Sequence, residues 1–266
     1  MNASQVGDAF GEMIKDAYAV RTGIGPRPLA GGRIPRPVIE IIERDDGLIN
    51  GAPADHYLGE PAEWQPHDHR ALRLVRGAVL DIGAGAGRTA LELQRRGAAV
   101  TGLDISRGAI EVARKRGLRD TVLATVDEYA ARAEARYDTF LLLGNNLGLL
   151  ESRDRAPVLL DALATLANPG ARIIGHGTDP YRTTDPVHLA YHQLNRERGR
   201  LGGQLRLRIR YRLLASAWFD YLVCSVDELV SLLDGTPWRL ARIDDTDHPY
   251  YLAVLELRRE RGRPGR

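Results

Sequence analysis

Three glycines at every second position, Gly83, Gly85 and Gly87, separate an apolar run from a helix-forming stretch in "AVLDIGAGAGRTALELQRRG", residues 78–97. Glycine there permits a tight turn and lets a ligand come close to the main chain. Asp81 sits just before the loop. Asp104 ends the next apolar run, "VTGLDIS", where it is placed to accept hydrogen bonds from two ribose hydroxyls. There is no G-x-x-x-x-G-K-[ST], which excludes a P-loop. A dinucleotide fingerprint wants its last glycine or alanine where this chain has Arg88. An arginine would crowd the helix–sheet contact, and this counts against a nicotinamide oxidoreductase. A carboxylate at Asp81 is unwelcome beside a pyrophosphate but suits a cationic ligand. The remaining chemistry is a ligand with a ribose, an adenine, a positive centre and no phosphate.

S-adenosylmethionine (SAM) is such a ligand, and at this point the chain resembles the class I SAM-dependent methyltransferases. "VLDIGAGAGR" is similar to their first motif and "VTGLDIS" to their second. The likeness covers residues 78–177 well and the final helix and two strands moderately. The resemblance implies that backbone around Gly83, Gly85 and Gly87 lines the methionine portion. It implies that Asp104 holds the ribose and that Ile105 lies against the adenine. Val126, with Asp127, meets the adenine edge; a helix cap is the other reading of Asp127. Asp81 orders the loop and the amino group, or is purely structural. "LLLGNNLGLL", residues 141–150, resembles the "GNS"-type stretch of glycine N-methyltransferase-like enzymes. That likeness implies Gly144 near the methionine end and Asn145 near the methyl and the acceptor. The implied reaction leaves S-adenosylhomocysteine (SAH) and methylates an oxygen or nitrogen of a small molecule, in the manner of secondary metabolism. An RNA or protein methyltransferase and a non-catalytic SAM-binding module are the alternatives. The lack of an N-P-P-Y type motif and of an added recognition domain counts against the first, and a turnover assay separates the second.

A hydroxyl acceptor calls for a base. His176 in "IIGHGTDP" has the best address, just past a strand; His67, His69 and His248 are the others. "HDH" at 67–69 lacks a partner cluster at ligand spacing, so no metal is expected. An aromatic pocket is expected from Tyr57 and Trp64 as a roof and Trp218 and Tyr221 as a wall. In "LRLRIRYR", Arg206, Arg208, Arg210 and Arg212 share one strand face, with Leu205, Leu207, Ile209 and Tyr211 on the other. Four like charges on one face point to a solvated or subunit-facing edge, or to a clamp for an anionic acceptor.

The elements that must position these residues alternate. Short apolar strands and helices from Ala78 onward predict an α/β fold. The expected architecture is a Rossmann-like, seven-stranded, mostly parallel sheet with helices on both faces. Residues 1–76 are expected to form an N-terminal helical lid, with a helix over Gln5–Val20, a short helix in "VIEIIER" and another near 67–75. Residues 77–258 form the methyltransferase domain, with a β-hairpin inserted at about 200–223. Residues 259–266 form a disordered tail. The chain has 266 residues, 44% hydrophobic, a net charge of +2 and one cysteine, Cys224. These figures support a core, exclude an intramolecular disulfide and disfavour nucleic acid as a partner. No apolar run reaches the length of a membrane span, and a cytoplasmic enzyme, with a homodimer as an option, is the expectation.

Overall fold

The computed structural model describes residues 5–24 and 37–258. The expected tail, residues 259–266, lies outside the described residues, as do residues 25–36, a stretch rich in Gly and Pro.

The chain opens with β1 (Gln5–Val6) and α1 (Ala9–Arg21), then β2 (Ile39–Arg44), β3 (Ile49–Pro53) and α2 (Pro66–Arg73). The alternating part follows as β4 (Val79–Ile82), α3 (Arg88–Arg95), β5 (Val100–Asp104), α4 (Arg107–Lys115), β6 (Asp120–Leu123) and α5 (Val126–Ala130). It continues through β7 (Tyr137–Leu142), α6 (Arg155–Thr165) and β8 (Ala167–Thr178). Next come α7 (Pro186–Glu197), β9 (Gln204–Tyr211), β10 (Leu214–Ala215) and β11 (Phe219–Leu222). The last elements are α8 (Val226–Leu232), β12 (Trp238–Asp244) and β13 (Tyr250–Leu257).

The main sheet has the order β12-β13-β8-β7-β4-β5-β6. The five strands from β8 to β6 pair in parallel, and β13 runs antiparallel to both neighbours. Alternate residues feed separate cores on the two faces. Leu80, Ile82, Phe140 and Leu142 enter the cluster that holds Trp238. Val79, Leu141 and Leu143 enter the one beneath α2 and α3. A strand covered on both sides needs such an unbroken apolar run. Turn chemistry sets the helix starts. Ser106 Oγ accepts from Ala109 N at 3.1 Å, and Thr125 with Glu128, like Ser225 with Glu228, forms a capping box.

The N-terminal part is not a helical lid. "VIEIIER" is strand β2, and it forms a hairpin with β3 across the Asp45–Gly47 turn. The spacing of its isoleucines fits a helix or a strand, but β-branched residues and a following Asp-Asp-Gly favour the strand. The expected inserted hairpin joins the same structure. β9 lies inside a second sheet of order β1-β10-β9-β2-β3, and β11 also pairs with β9. β9 is therefore not an edge. Helix α7 was not foreseen, and β8 takes in the Asn168-Pro169-Gly170 stretch that reads as a turn.

Aspartate 8 ties the two sheets' supports together. Its carboxylate accepts from Gly11 N at the start of α1 (2.8 Å), from Ser106 Oγ (2.9 Å) and from Gly108 N in α4 (2.9 Å). The helices approach so closely that a side chain on Gly108 would overlap the Gly11 backbone.

Candidate active site

The sheet order reverses at β4. Strands β5 and β6 lie to one side of it and β7 and β8 to the other, so the C-terminal ends of β4 and β7 open a crevice. The second sheet covers that crevice and encloses a cavity of about 1130 Å³.

The glycine loop forms the floor. Gly83, Gly85 and Gly87 have φ of 68°, 55° and 76°, values that an L side chain adopts only with strain. Asn146 holds the loop from the neighbouring strand end: its Nδ2 donates to Ile82 O (3.0 Å) and Gly83 O (3.3 Å). Asp104 is 8% exposed and accepts from Gly85 N at 2.8 Å and Ser106 N at 2.7 Å, one bond per carboxylate oxygen. Each oxygen keeps a lone pair for a ligand hydroxyl. Burial raises the Asp104 carboxyl above its usual range. Ile105, next to it, faces the cavity and is 73% exposed. Asp81, also on the cavity wall, is pushed up to about 7, chiefly by burial; Arg88 opposes this and Asp104 adds to it.

Gly144, Asn145 and Asn146 form the rim at the end of β7. Asn145 takes a left-handed conformation with φ of 70°. Its Oδ1 accepts from Thr178 Oγ1 at 2.9 Å, and its backbone oxygen accepts from the Tyr221 hydroxyl at 2.6 Å. A side chain on Gly144 would meet open space.

Several expected residues converge here: Asp81, Gly83, Gly85, Asp104, Ile105, Gly144, Asn145, Tyr57 and Tyr221 all line the cavity. Gly87 caps α3 just below the floor. Others do not line it. Val126 opens α5 and packs in the core with Leu103. Thr125, not Asp127, caps that helix, and Asp127 pairs with Arg155 at 2.8 Å. Trp64 is 8% exposed, donates to Gly59 O at 2.8 Å and lies under the Arg88 guanidinium. Trp218 stacks with Arg208 outside the cavity. His176 lies beneath α2, edge-on to His67 with ring centroids 4.5 Å apart. Burial pushes its imidazole down to about 4. His67, Asp68 and His176 have potential ligand atoms within 4.8 Å of one another. The Asp68 carboxylate is already held by both terminal nitrogens of Arg88, at 3.0 and 3.1 Å.

The arginine face is neutralised within the molecule. Arg208 makes two bonds of 2.9 Å to Glu43, Arg210 reaches Glu43 at 3.2 Å, and Arg206 reaches Asp220 at 3.3 Å. Arg212 lies in the turn past the strand and pairs with Asp16. Neither a solvated edge nor a free anion clamp describes these residues. Their opposite face does the lining: Leu205, Leu207 and Ile209 look into the cavity.

Sequence reading missed Asp8, Asn146, and the cavity face of β2, namely Glu40, Ile42 and Arg44. The period-two spacing of those three was the available signal.

Residues 79–170 match the family described as Methyltransferase domain. The ubiquinone biosynthesis O-methyltransferase of Alkalilimnicola ehrlichii is 34% identical over 139 residues, 46% of this chain and 55% of that protein. The enzyme of that name from Escherichia coli O6:H1 is 30% identical over 153 residues, 52% of this chain and 62% of that protein. The chain thus spans about half the length of these curated relatives. A SAM-dependent methyltransferase from Bacteroides fragilis, solved with SAH, shares the fold over 97% of this chain and 99% of its own, with a TM-score of 0.77 and 23% identity.

Proposed function

We propose that this chain is a class I SAM-dependent methyltransferase that holds SAM on its glycine loop and passes the methyl group to an oxygen or nitrogen of a small molecule; the match of residues 79–170 to a methyltransferase domain supports this reading. The observation that carries this reading is the Asp104 carboxylate. It is buried at the cavity wall, and each of its oxygens is oriented by one backbone N–H and left with one lone pair. A ribose diol matches that pair of acceptors. The left-handed glycines leave backbone rather than side chains against the ligand. The exposed Ile105 offers an apolar surface for an adenine. When bound, SAM supplies a methyl group on a positively charged sulfur.

The chain's own residues orient and exclude. Asn145, locked by Thr178 and Tyr221, fixes the rim where the donor and acceptor meet. The apolar face of the second sheet keeps water from the acceptor. Alignment contributes much of the acceleration in such a transfer. The A. ehrlichii and E. coli relatives are named for O-methylation of a ubiquinone precursor pathway, which supports a small-molecule acceptor.

Titration calorimetry tests the reading. SAM and SAH should bind with one-to-one stoichiometry and NAD should not. Binding of NAD with no heat from either SAM species would overturn it. Turnover with release of SAH separates an enzyme from a SAM-binding module.

A further inference from the structure

Strand β2 presents Glu40, Ile42 and Arg44 to the cavity at every second position. Side chains two residues apart on a strand share a face about 6.6 Å apart, so Glu40 and Arg44 mark two ends of one lining strip. Between and beside them the surface is apolar. Ile42 pairs in register with Ile209, and Arg44 with Leu207.

The two charged ends differ. Arg44 is 4% exposed and fully engaged by protein: it holds Asp46 at 2.6 and 2.8 Å, reaches His188 Nδ1 at 3.0 Å, and lies over the Tyr191 ring. Glu40 is also 4% exposed, but only one group satisfies it. The Tyr57 hydroxyl donates to it, at 2.9 Å from Oε1 and 3.1 Å from Oε2. Among the described residues no lysine, arginine or histidine nitrogen lies within 4.0 Å of it. The groups near it are Tyr57 and His56 on the segment after β3 and Tyr221 on β11. His56 is the basic residue among them, and its ring stacks on Tyr57. Burying a carboxylate without a cation is costly. Among the described residues that partner is missing, and a ligand in the cavity can supply it.

Glu40 is also close to the chemistry. Its charge acts on the Tyr221 phenol, whose hydroxyl holds Asn145 at the rim. We infer that Glu40 receives the methyl acceptor: it binds the amine or hydroxyl head of an otherwise apolar molecule and takes the proton that this head gives up. This rests on the methyltransferase reading above. The oxygen or nitrogen lone pair of the acceptor forms the new bond to the methyl carbon. The methyl–sulfur bond breaks with its electron pair kept on sulfur, giving a neutral thioether. The O–H or N–H proton passes to the Glu40 carboxylate, which becomes a carboxylic acid. Burial raises the Glu40 carboxyl above its ordinary value, which suits a proton acceptor.

The test uses the full chain saturated with SAH and three probes with one ring and different heads: benzylamine, benzyl alcohol and benzoate. Calorimetry on the unmodified protein should rank the amine and the alcohol roughly tenfold or more above benzoate, about 1.4 kcal/mol. In Glu40→Gln the amine should lose that advantage while SAH affinity stays the same. Equal binding of all three probes by the unmodified protein, or no binding of the amine and the alcohol, would overturn the proposal without the variant. So would a Glu40→Gln protein that loses SAH binding, since the carboxylate would then serve the cofactor. Thermal unfolding of the ligand-free proteins gives an independent readout. A variant as stable as the parent or more so agrees with a carboxylate kept for a ligand; a midpoint more than about 5 °C lower would make Glu40 structural. If the unmodified protein binds no SAH, the methyltransferase reading falls and the proposal with it. Normal SAH binding without a head-group preference removes the proposal alone.

Discussion

Asp104 accepts from Gly85 N and Ser106 N with one oxygen each, and in the proposed reading the same two oxygens receive the ribose. Hydrogen bonds to a charged group contribute about 1.5–3 kcal/mol each, so Asp104→Ala should weaken SAH binding by well over tenfold in calorimetry. An unchanged affinity would remove it from the site. If Asn145 stands beside the acceptor as proposed, Asn145→Ala, by contrast, should lose turnover more than SAM affinity in steady-state assays, because Thr178 and Tyr221 hold it at the cavity rim. His176 belongs to a different argument. Its folded value of about 4 lies below the ordinary 6.5 of a free imidazole. The unfolded chain then takes the proton first as pH falls. The stability this neutral ring contributes is complete above 6.5 and drains away toward 4. His176→Gln should therefore lose less stability than the parent between roughly pH 7 and pH 5 in urea unfolding; an equal loss would contradict the assignment. The cavity-lining Asp81, Asp104, Gly83 and Gly85 were legible because strand-end acids and left-handed turns restrict the residue types allowed. The place of His176 was not: a strand end says which end a residue occupies but not which side the ring takes.

Glu43 sits at the joint between β2 and β9, where Arg208 and Arg210 converge on it. The Arg208 contacts hold its carboxyl below the usual range. Its side chain is 14% exposed, against 28% and 36% for the two arginines. Screening at that exposure discounts the pairing, so Glu43→Gln should cost about 1 kcal/mol. Arg206→Gln, at a more exposed pair, should cost less. Urea unfolding of both checks the order, and a reversed order would show that the cross-strand joint adds nothing. At this scale the elements from β4 to β8 were legible because each carries its own stop, such as Gly97 closing α3 at φ of 86°. The second sheet was not. Its strands come from residues 5–6, 39–53 and 204–222, and their pairing is long-range. Helix α7 was missed although Asp185 and Pro186 mark its start, with Asp185 accepting from Val187 N at 2.8 Å.

The molecule sets two sheets face to cavity. One carries a glycine loop and two strand-end carboxylates. The other carries an apolar wall with the Glu40 carboxylate, which no cation reaches among the described residues, and α1 is fixed between them through Asp8. The first sheet follows from local pattern and was foreseen as an α/β fold. The second appears only when distant strands meet, which is why half of the expected aromatic lining changed: Tyr57 and Tyr221 line the cavity, Trp64 and Trp218 were taken by other contacts, and Leu205, Leu207 and Ile209 join the wall. The central claim is that SAM lies on the first sheet with its methyl directed toward the second. A crystal structure grown with SAH tests it most directly. The account predicts a ribose diol on the two Asp104 oxygens, the adenine against Ile105 and the sulfur beside Asn145. Density for SAH outside this cavity, or inside it with the ribose away from Asp104, would contradict it.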